Sequence, residues 1–248
     1  MDNVPWYEND DLWETTTPFF FSEERWAGTP KEVDQIIQLL DLSEGDAILD
    51  LCCGPGRHSL ELARRHFRVT GVDRTTSYLE EAQNRAESEG LPVEFIHEDM
   101  RRFCRSEAFD GALLLFSSFG YFEDPADNRQ VLCNVYCSLK KGGRLIMDLM
   151  GKEVISRVFQ ERDWRERDGI INLAERRVSK GWSKMENRWI IINGKTRKEF
   201  KFSHWIYSAK ELSNLLKECG FSFLEVYGDF EGNLYDHTAK RLVVVAQK

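Results

Sequence analysis

Long hydrophobic runs are missing from this 248-residue chain: nothing approaches the roughly 18 apolar residues that a membrane-crossing helix needs. The N-terminus, MDNVPWYENDDLWE, is acidic and aromatic. It lacks the basic and apolar regions of a secretory leader, so a cytoplasmic protein with no membrane partner is expected. Paired metal-site cysteines are missing too. Cys52, Cys53, Cys104, Cys133, Cys137 and Cys219 form no CxxC pair and no Cys/His group with zinc spacing. The adjacent Cys52 and Cys53 cannot easily chelate one ion together. No metal is expected, and all six cysteines read as small buried residues in a reducing compartment. An excess of positive charge is also lacking. The formal net charge is −8, which argues against a general nucleic-acid binder. Internal repeats and low-complexity tracts are absent.

What is present suffices for one sizeable core, since 42% of the residues are hydrophobic. Residues 1–28 are rich in Trp, Tyr and Phe without a clean period and read as an aromatic flap. Thr29-Pro30-Lys31-Glu32 reads as a capping box, followed by apolar positions Val33, Ile36, Ile37 and Leu40 at helical spacing. Strands are expected at Ala47–Leu51, Val69–Val72, Val93–Ile96, Gly111–Phe116 and Leu145–Met150. Helices alternate with them at Arg57–His66, at Thr76–Glu89 and from Pro125 to a stop at Gly142. That alternation means βαβ units and a parallel sheet covered on both faces. The pattern then changes. Lys152–Phe159 reads as a short helix and Ile170–Val178, Glu186–Ile192 and Arg197–Tyr207 as strands, with Asn193-Gly194 as a hairpin signal. Ser208-x-x-Glu211 caps a further helix that Gly220 ends. Phe223–Tyr227 and Leu242–Ala246 close the chain as an antiparallel pair, because the link between them is too short for a crossover helix. The insertion 151–207 holds 14 Lys+Arg against 8 Asp+Glu, a net of +6, which leaves −14 on the remainder.

The loop ILDLCCGPGRHS (48–59) joins the first strand to the first helix of this sheet. It therefore lies at the sheet's carboxyl edge, where ligands bind. Gly54 and Gly56 permit a sharp turn and close approach of a ligand. Asp73 ends the second strand, where a carboxylate can accept from both hydroxyls of a ribose. A nucleotide P-loop would need Gly-Lys-Ser/Thr, but Arg57-His58 follows Gly56. Gly54-x-Gly56-x-x-Ser59 lacks the third glycine of the dinucleotide fingerprint. Asp50 would repel a pyrophosphate but suits the cationic end of an amino-acid-bearing cofactor.

On these residues the chain resembles the class I S-adenosylmethionine-dependent methyltransferases. The resemblance spans about 30–150 and 208 to the end, in five segments in the family's order. ILDLCCGPG (48–56) is similar to the first motif. VTGVDRT (69–75) is similar to the second, which makes Asp73 the ribose carboxylate. HEDMRRF (97–103) resembles the third, implying that Asp99 meets the adenine amino group and Met100 flanks the ring. FDGALLLFSSFGYF (109–122) resembles the fourth, at the strand end facing the methyl group, and LKKGGRLIMDLM (139–150) the fifth. The implied fold is α/β, Rossmann-like and doubly wound. It has a seven-stranded, mostly parallel sheet with an antiparallel final pair, plus an inserted antiparallel β sub-domain. The implied organisation is an aromatic lid at 1–28, a cofactor core at 29–150 and 208–248, and a substrate cover at 151–207. The cofactor is S-adenosylmethionine, with S-adenosylhomocysteine as product. Its expected contacts are Asp50, Cys52, Gly54, Gly56, Asp73, Arg74, Asp99, Met100, Phe116 and Ser117. One departure stands out: Cys52 occupies the place of the family's first glycine, so a positive φ there would be strained.

Methyl transfer needs a positioned nucleophile and a dry site more than a catalytic pair, and a base only where the nucleophile holds a proton. Candidates for that role are Tyr121, His204, Tyr207 and His237; Tyr7 and Trp13 join Tyr121 and His204 as lid or acceptor contacts. On the last inserted strand, Phe200, Phe202, His204 and Ile206 share one face. Insertions at this position cover the site of relatives acting on small molecules. Methyl transfer by in-line displacement to a small-molecule acceptor, an acidic one if the +6 insertion attracts it, is therefore the leading expectation. An RNA or protein methyltransferase using the basic insertion is the alternative, and a cofactor-binding module without turnover a third. Phe116-Ser117-Ser118-Phe119 lacks the Asn-Pro-Pro-Tyr-like amide that holds a flipped base, which argues against nucleic acid.

Overall fold

Short apolar strands alternating with amphipathic helices have one economical solution, a parallel sheet buried between two helical layers. The computed structural model, which describes residues 4–248, adopts it. β1 (Ala47–Leu51), β2 (Arg68–Asp73), β3 (Val93–His97), β4 (Phe109–Leu114) and β5 (Leu139–Leu149) run parallel, and β10 (Phe223–Tyr227) and β11 (Leu242–Gln247) are antiparallel. The spatial order is β10-β11-β5-β4-β1-β2-β3. Order reverses between β1 and β4, so the carboxyl ends of these two strands flank the crevice where such sheets bind ligands.

Each face of the sheet carries its own core. Val33, Ile36 and Leu40 of α2 (Glu23–Leu40) and Leu62 of α3 (Arg57–Arg64) pack with Ile48, Leu113 and Val245 on one face. On the other, Leu132 and Val135 of α5 (Pro125–Ser138) and Leu212 and Leu216 of α7 (Ala209–Glu218) pack on Leu49, Leu114 and Met147. The capping box of α7 forms in full between Ser208 and Glu211. α4 (Thr76–Glu89) follows β2, and α6 (Lys152–Val158) follows β5.

The segment after α6 is a separate four-stranded antiparallel sheet in the order β6-β7-β8-β9: Arg162–Arg167, Ile170–Ser179, Lys184–Asn193 and Thr196–Trp205. Its last strand is seated at Gly120, whose carbonyl accepts the Trp205 N–H at 2.7 Å. A Cβ on Gly120 would stand 2.4 Å from the Trp205 carbonyl oxygen, so only glycine permits that approach.

Several expected boundaries move. Of the expected flap, residues 1–3 lie outside the described residues, and 4–28 are largely helical rather than aperiodic, with α1 (Asp10–Phe20) following a short 3-10 turn at Trp6–Glu8. α2 begins at Glu23, capped by Ser22, so its first turns belong to the flap and Thr29 is no cap. Pro30 lies inside the helix, and the Thr29 hydroxyl donates back to the Arg25 carbonyl at 2.9 Å. β4 stops at Leu114, and α5 ends at Ser138, with Gly142 inside an irregular start of β5. The β8–β9 loop is Gly194-Lys195, since Asn193 pairs with Thr196. β6 escaped notice because RDWRER carries almost no apolar signal; it is a charged edge strand.

Candidate active site

Above the carboxyl ends of β1, β2 and β4 lies a cavity of about 580 Å³. Its floor is Leu51, Cys52 and Gly54 after β1, Asp73 after β2, and Phe116 and Ser117 after β4. Asp99 and Met100 close one side. Its roof comes from Trp13 and Phe20 of α1, Arg25 of α2 and the inner face of the inserted sheet.

The floor is held in an uncommon backbone state. Cys52 (φ +62°), Phe116 (φ +57°) and Ser117 (φ +61°) are left-handed although none is glycine. Cys52 therefore takes the strained option that its position implied. The Asp73 carboxylate fixes the loop. Its Oδ2 accepts the Gly54 N–H and its Oδ1 the Thr75 N–H, each at 2.8 Å. Burial raises the Asp73 carboxyl above its ordinary range, against the lowering effect of these N–H groups. At the other strand end Asp148, 1% exposed, accepts the Phe116 N–H on its side chain and the Ser117 N–H on its carbonyl. Arg241 grips that carboxylate with two bonds, Nε to Oδ1 at 2.6 Å and Nη2 to Oδ2 at 2.9 Å.

The two thiols of the loop are not reactive groups. Burial first, then the Asp73 and Asp50 carboxylates, push both Cys52 and Cys53 well above the ordinary thiol range. A thiolate is needed for redox or metal chemistry. Among the described residues no three His, Cys, Asp or Glu side chains are placed to hold a metal ion.

Other expected residues are held at the cavity by ion pairs. Asp99 binds Arg101 through its carboxylate, and the Arg101 N–H as well at 2.7 Å. Burial pushes Asp99 up, but the Arg101 contacts prevail and lower it. Arg101 stacks on Phe122 (4.4 Å) and Tyr7 (5.3 Å). Arg74 pairs with Asp10 and donates to the Tyr7 carbonyl at 3.0 Å, so it ties the N-terminal segment down. Trp13 Nε1 donates to the same carbonyl. Tyr121 lies between Trp6 (4.8 Å) and Trp13 (6.0 Å), and burial drives its hydroxyl far above the ordinary range. His204 lines the cavity with Phe202; burial alone lowers its imidazole to about 4, so it is neutral near pH 7.

Four expected residues stand elsewhere. Asp50 is buried behind the loop, where Ser59 donates to it at 2.6 Å, and does not line the cavity. Gly56 is the left-handed cap of α3 and faces Ala82 and Phe95. Tyr207 packs against Phe119 at 5.3 Å, outside the cavity. His237 is exposed on the β10–β11 link, where its carbonyl accepts Arg157. Tyr207 and His237 therefore cannot serve a reaction in this cavity as it stands.

The cavity also holds residues that sequence reading passed over: Arg25, Arg165, Arg176, Asn187, Trp189 and Arg241. Arg176 pairs with Asp163 at 3.0 Å and Arg241 with Asp148. Arg25 and Arg165 have no ion-pair partner among the described residues, and burial lowers both guanidiniums. Arg25 lies 4.8 Å from the Phe116 ring centre and Arg57 4.7 Å from it. Arg57 is neutralised by Glu32 at 2.6 Å, which His58 also approaches at 3.2 Å. No motif marks Arg25, the one arginine before Arg57, and Arg165 stands among arginines that do find carboxylates.

A family model described as a methyltransferase domain matches residues 48–143. A Bacillus subtilis (strain 168) protein named YqeM, itself only an inferred methyltransferase, is 28% identical over 84% of this chain and 86% of its own. The glycine/sarcosine N-methyltransferase of Aphanothece halophytica is 25% identical over 90% of this chain and 83% of its own. In fold, the chain is similar to an S-adenosylmethionine-dependent methyltransferase from Clostridium acetobutylicum ATCC 824. That likeness has a TM-score of 0.78 and 18% identity, covering 96% of this chain and 98% of the other.

Proposed function

We infer that this chain is a class I S-adenosylmethionine-dependent methyltransferase and that it methylates a small molecule held inside the cavity. The observation that carries this reading is the roof. α1, α2 and the inserted sheet bring Trp13, Phe20, Trp189 and Phe202 over the strand ends, leaving about 580 Å³, the size of a small-ligand site. The relative from Aphanothece halophytica, whose name specifies glycine and sarcosine, supports the same class of acceptor.

The donor groups suit S-adenosylmethionine. Asp73 keeps lone pairs on both oxygens for ribose hydroxyls, and Met100 with Tyr7 offers apolar surface beside Asp99 for the adenine. Gly54 and the left-handed Cys52 open the backbone for the methionine part. Arg25, unpaired above Phe116, is the guanidinium for its carboxylate. Arg74, Phe116 and Ser117 complete the expected contacts, Arg74 by tying down the N-terminal segment. Asp50 and Gly56 act indirectly, by bracing the loop from behind. S-adenosylmethionine supplies a methyl group on a positively charged sulfur, and its in-line displacement by the acceptor leaves S-adenosylhomocysteine.

The chain's own part is positioning and exclusion of water. The aromatic roof keeps water from the methyl position, and the N-terminal segment is a lid held by Arg74 and Tyr78, whose hydroxyl donates to the Trp13 carbonyl at 2.7 Å. A neutral His204 can accept a proton from a hydroxyl or amine nucleophile, or simply orient it. Incubation with methyl-labelled S-adenosylmethionine and, separately, low-mass metabolites, RNA and protein from a lysate tests this. Label is expected in the low-mass fraction. Label in RNA or protein alone would overturn the small-molecule reading, and cofactor binding without labelling of any fraction would make the protein a binding module.

A further inference from the structure

The inner face of the inserted sheet is not an ordinary apolar wall. Register places Arg165 of β6 opposite Asn172 of β7, and Asn187 and Trp189 of β8 on the same face. Asn187 and Trp189 are each 8% exposed, and neither the Asn187 Nδ2 nor the Trp189 Nε1 finds an acceptor. Asn172 leaves both amide atoms unpaired as well. A buried donor without a partner costs about 1–3 kcal/mol, so two of them lining one cavity ask for an acceptor from outside. Arg165, exposed on the edge strand, holds its guanidinium 5.7 Å from the Trp189 ring and 5.3 Å from that of Phe19, without an ion pair. The carboxylate that shares its face of the strand, Asp163, is engaged by Arg176.

A guanidinium beside the unpaired Trp189 N–H, with the Asn187 NH2 further along the same face and no unengaged carboxylate among them, suits a group that accepts and carries negative charge. We propose that Arg165 and Trp189, with Asn187 further along the same face, form a subsite for the carboxylate of an acidic small-molecule acceptor. This rests on the small-molecule reading above and names its substrate class. The subsite differs from the Arg25 position, because Arg165, Asn187 and Trp189 all belong to the inserted sheet while Arg25 lies over the β4 end. The anion then anchors the acceptor at the roof, and its nucleophile points to the floor. The stems of Arg165 and Trp189, with Phe20 at 5.8 Å from Trp189, give the acceptor's body an apolar wall.

Calorimetry with saturating S-adenosylhomocysteine tests the subsite through two matched pairs of probes, phenylacetate against phenylacetamide and butyrate against butyramide. In the wild-type protein at least one acid should bind tenfold or more tightly than its amide. R165Q should bring that ratio near one while S-adenosylhomocysteine affinity stays within twofold. R165K, which keeps the charge and the stem, should retain an intermediate ratio, and this guards against a variant that simply fails to fold. Equal or absent binding of acid and amide in the wild type overturns the subsite, as does an acid preference that survives R165Q. A large loss of S-adenosylhomocysteine affinity in R165Q reassigns Arg165 to the cofactor. Failure of the wild type to bind S-adenosylhomocysteine at all is a different result, and it would sink the methyltransferase reading itself.

Discussion

Asp73→Asn separates loop architecture from cofactor contact, because one carboxylate is given both tasks. Its oxygens already accept the Gly54 and Thr75 N–H groups, each at 2.8 Å. Asparagine keeps one acceptor and turns an NH2 donor toward the other N–H. One buried N–H then goes unpaired, at a cost of about 1–3 kcal/mol of stability. The remaining lone pairs are those we give to two ribose hydroxyls. Hydrogen bonds to a charged acceptor contribute about 1.5–3 kcal/mol each, so losing one and weakening the other should cost about 2–4 kcal/mol of binding. That is a roughly 30- to 700-fold rise in Kd for S-adenosylhomocysteine. Calorimetry gives the affinity, and urea unfolding of the same variant gives the stability. A urea midpoint that falls while Kd stays within threefold would refute the ribose role and leave Asp73 as a loop fastener only. Acidification adds a second signature. Burial raises the folded carboxyl, so its protonated form favours folding, and this group's contribution to stability is lost as pH rises through the raised value. Its ionised form is the one that accepts from ribose, so affinity should move the opposite way and fall as pH falls through that value.

Cys52→Gly should leave stability within about 1 kcal/mol of wild type, since relief of a left-handed residue is offset by glycine's entropy in the unfolded chain. Cys52→Val, branched at the same φ, should fall about 2 kcal/mol or more below Cys52→Gly in urea unfolding, and equal midpoints would show that the position is not strained. His204 gives a pH test with a definite sign. Its folded value of about 4 lies below the ordinary value of roughly 6.5, so the unfolded chain takes the proton first. The stability linked to this group is present above about pH 6.5 and fades as pH falls toward 4, by up to about 3 kcal/mol. His204→Gln should remove that slope between pH 7 and 4.5, and an unchanged slope would mean that the imidazole titrates normally.

The sheet was legible because its signals are local and redundant. Thr76–Glu89 is bounded in the structure as its pattern implied, and Ser208 with Glu211 forms the expected box. The N-terminal helices were hidden for a physical reason. α1 and α2 pack their aromatics on two sides, on the cavity and on the inserted sheet, so no single apolar stripe repeats. Pro30 and Thr29 imitate a helix start that Ser22 provides seven residues earlier. The chain's charge was equally opaque. Residues 151–207 carry 14 Lys+Arg, and a sequence cannot say which are answered. Arg188 meets Glu175 and Glu199, and Arg177 meets Glu186, whereas Arg165 meets none. Most of the insertion's positive charge is answered by carboxylates, and the proposed subsite rests on the exception.

Three of the nine non-glycine residues with positive φ among the described residues gather at one place. Cys52, Phe116 and Ser117 all end strands that flank the order reversal of the sheet, and all three line the cavity floor. A left-handed residue other than glycine costs about 1–2 kcal/mol, so none would persist without something that over-determines it. Each strand end has such a clamp. The N–H groups of Phe116 and Ser117 are both taken by Asp148, which Arg241 holds in turn. After Cys52, the next two N–H groups go to the Val72 carbonyl and to Asp73. Turning the backbone out of the strand in this way keeps the loop from continuing over the crevice and leaves room at the strand ends. Only the first of the three was visible in advance, because only there did the resemblance supply a glycine to compare. At Phe116 nothing in the residue favours a positive φ; the conformation is dictated from outside, by an aspartate and an arginine distant in sequence. Strain imposed by distant residues, at a site where local preference alone would build a plain strand end, is what a structure selected for binding rather than for stability should show.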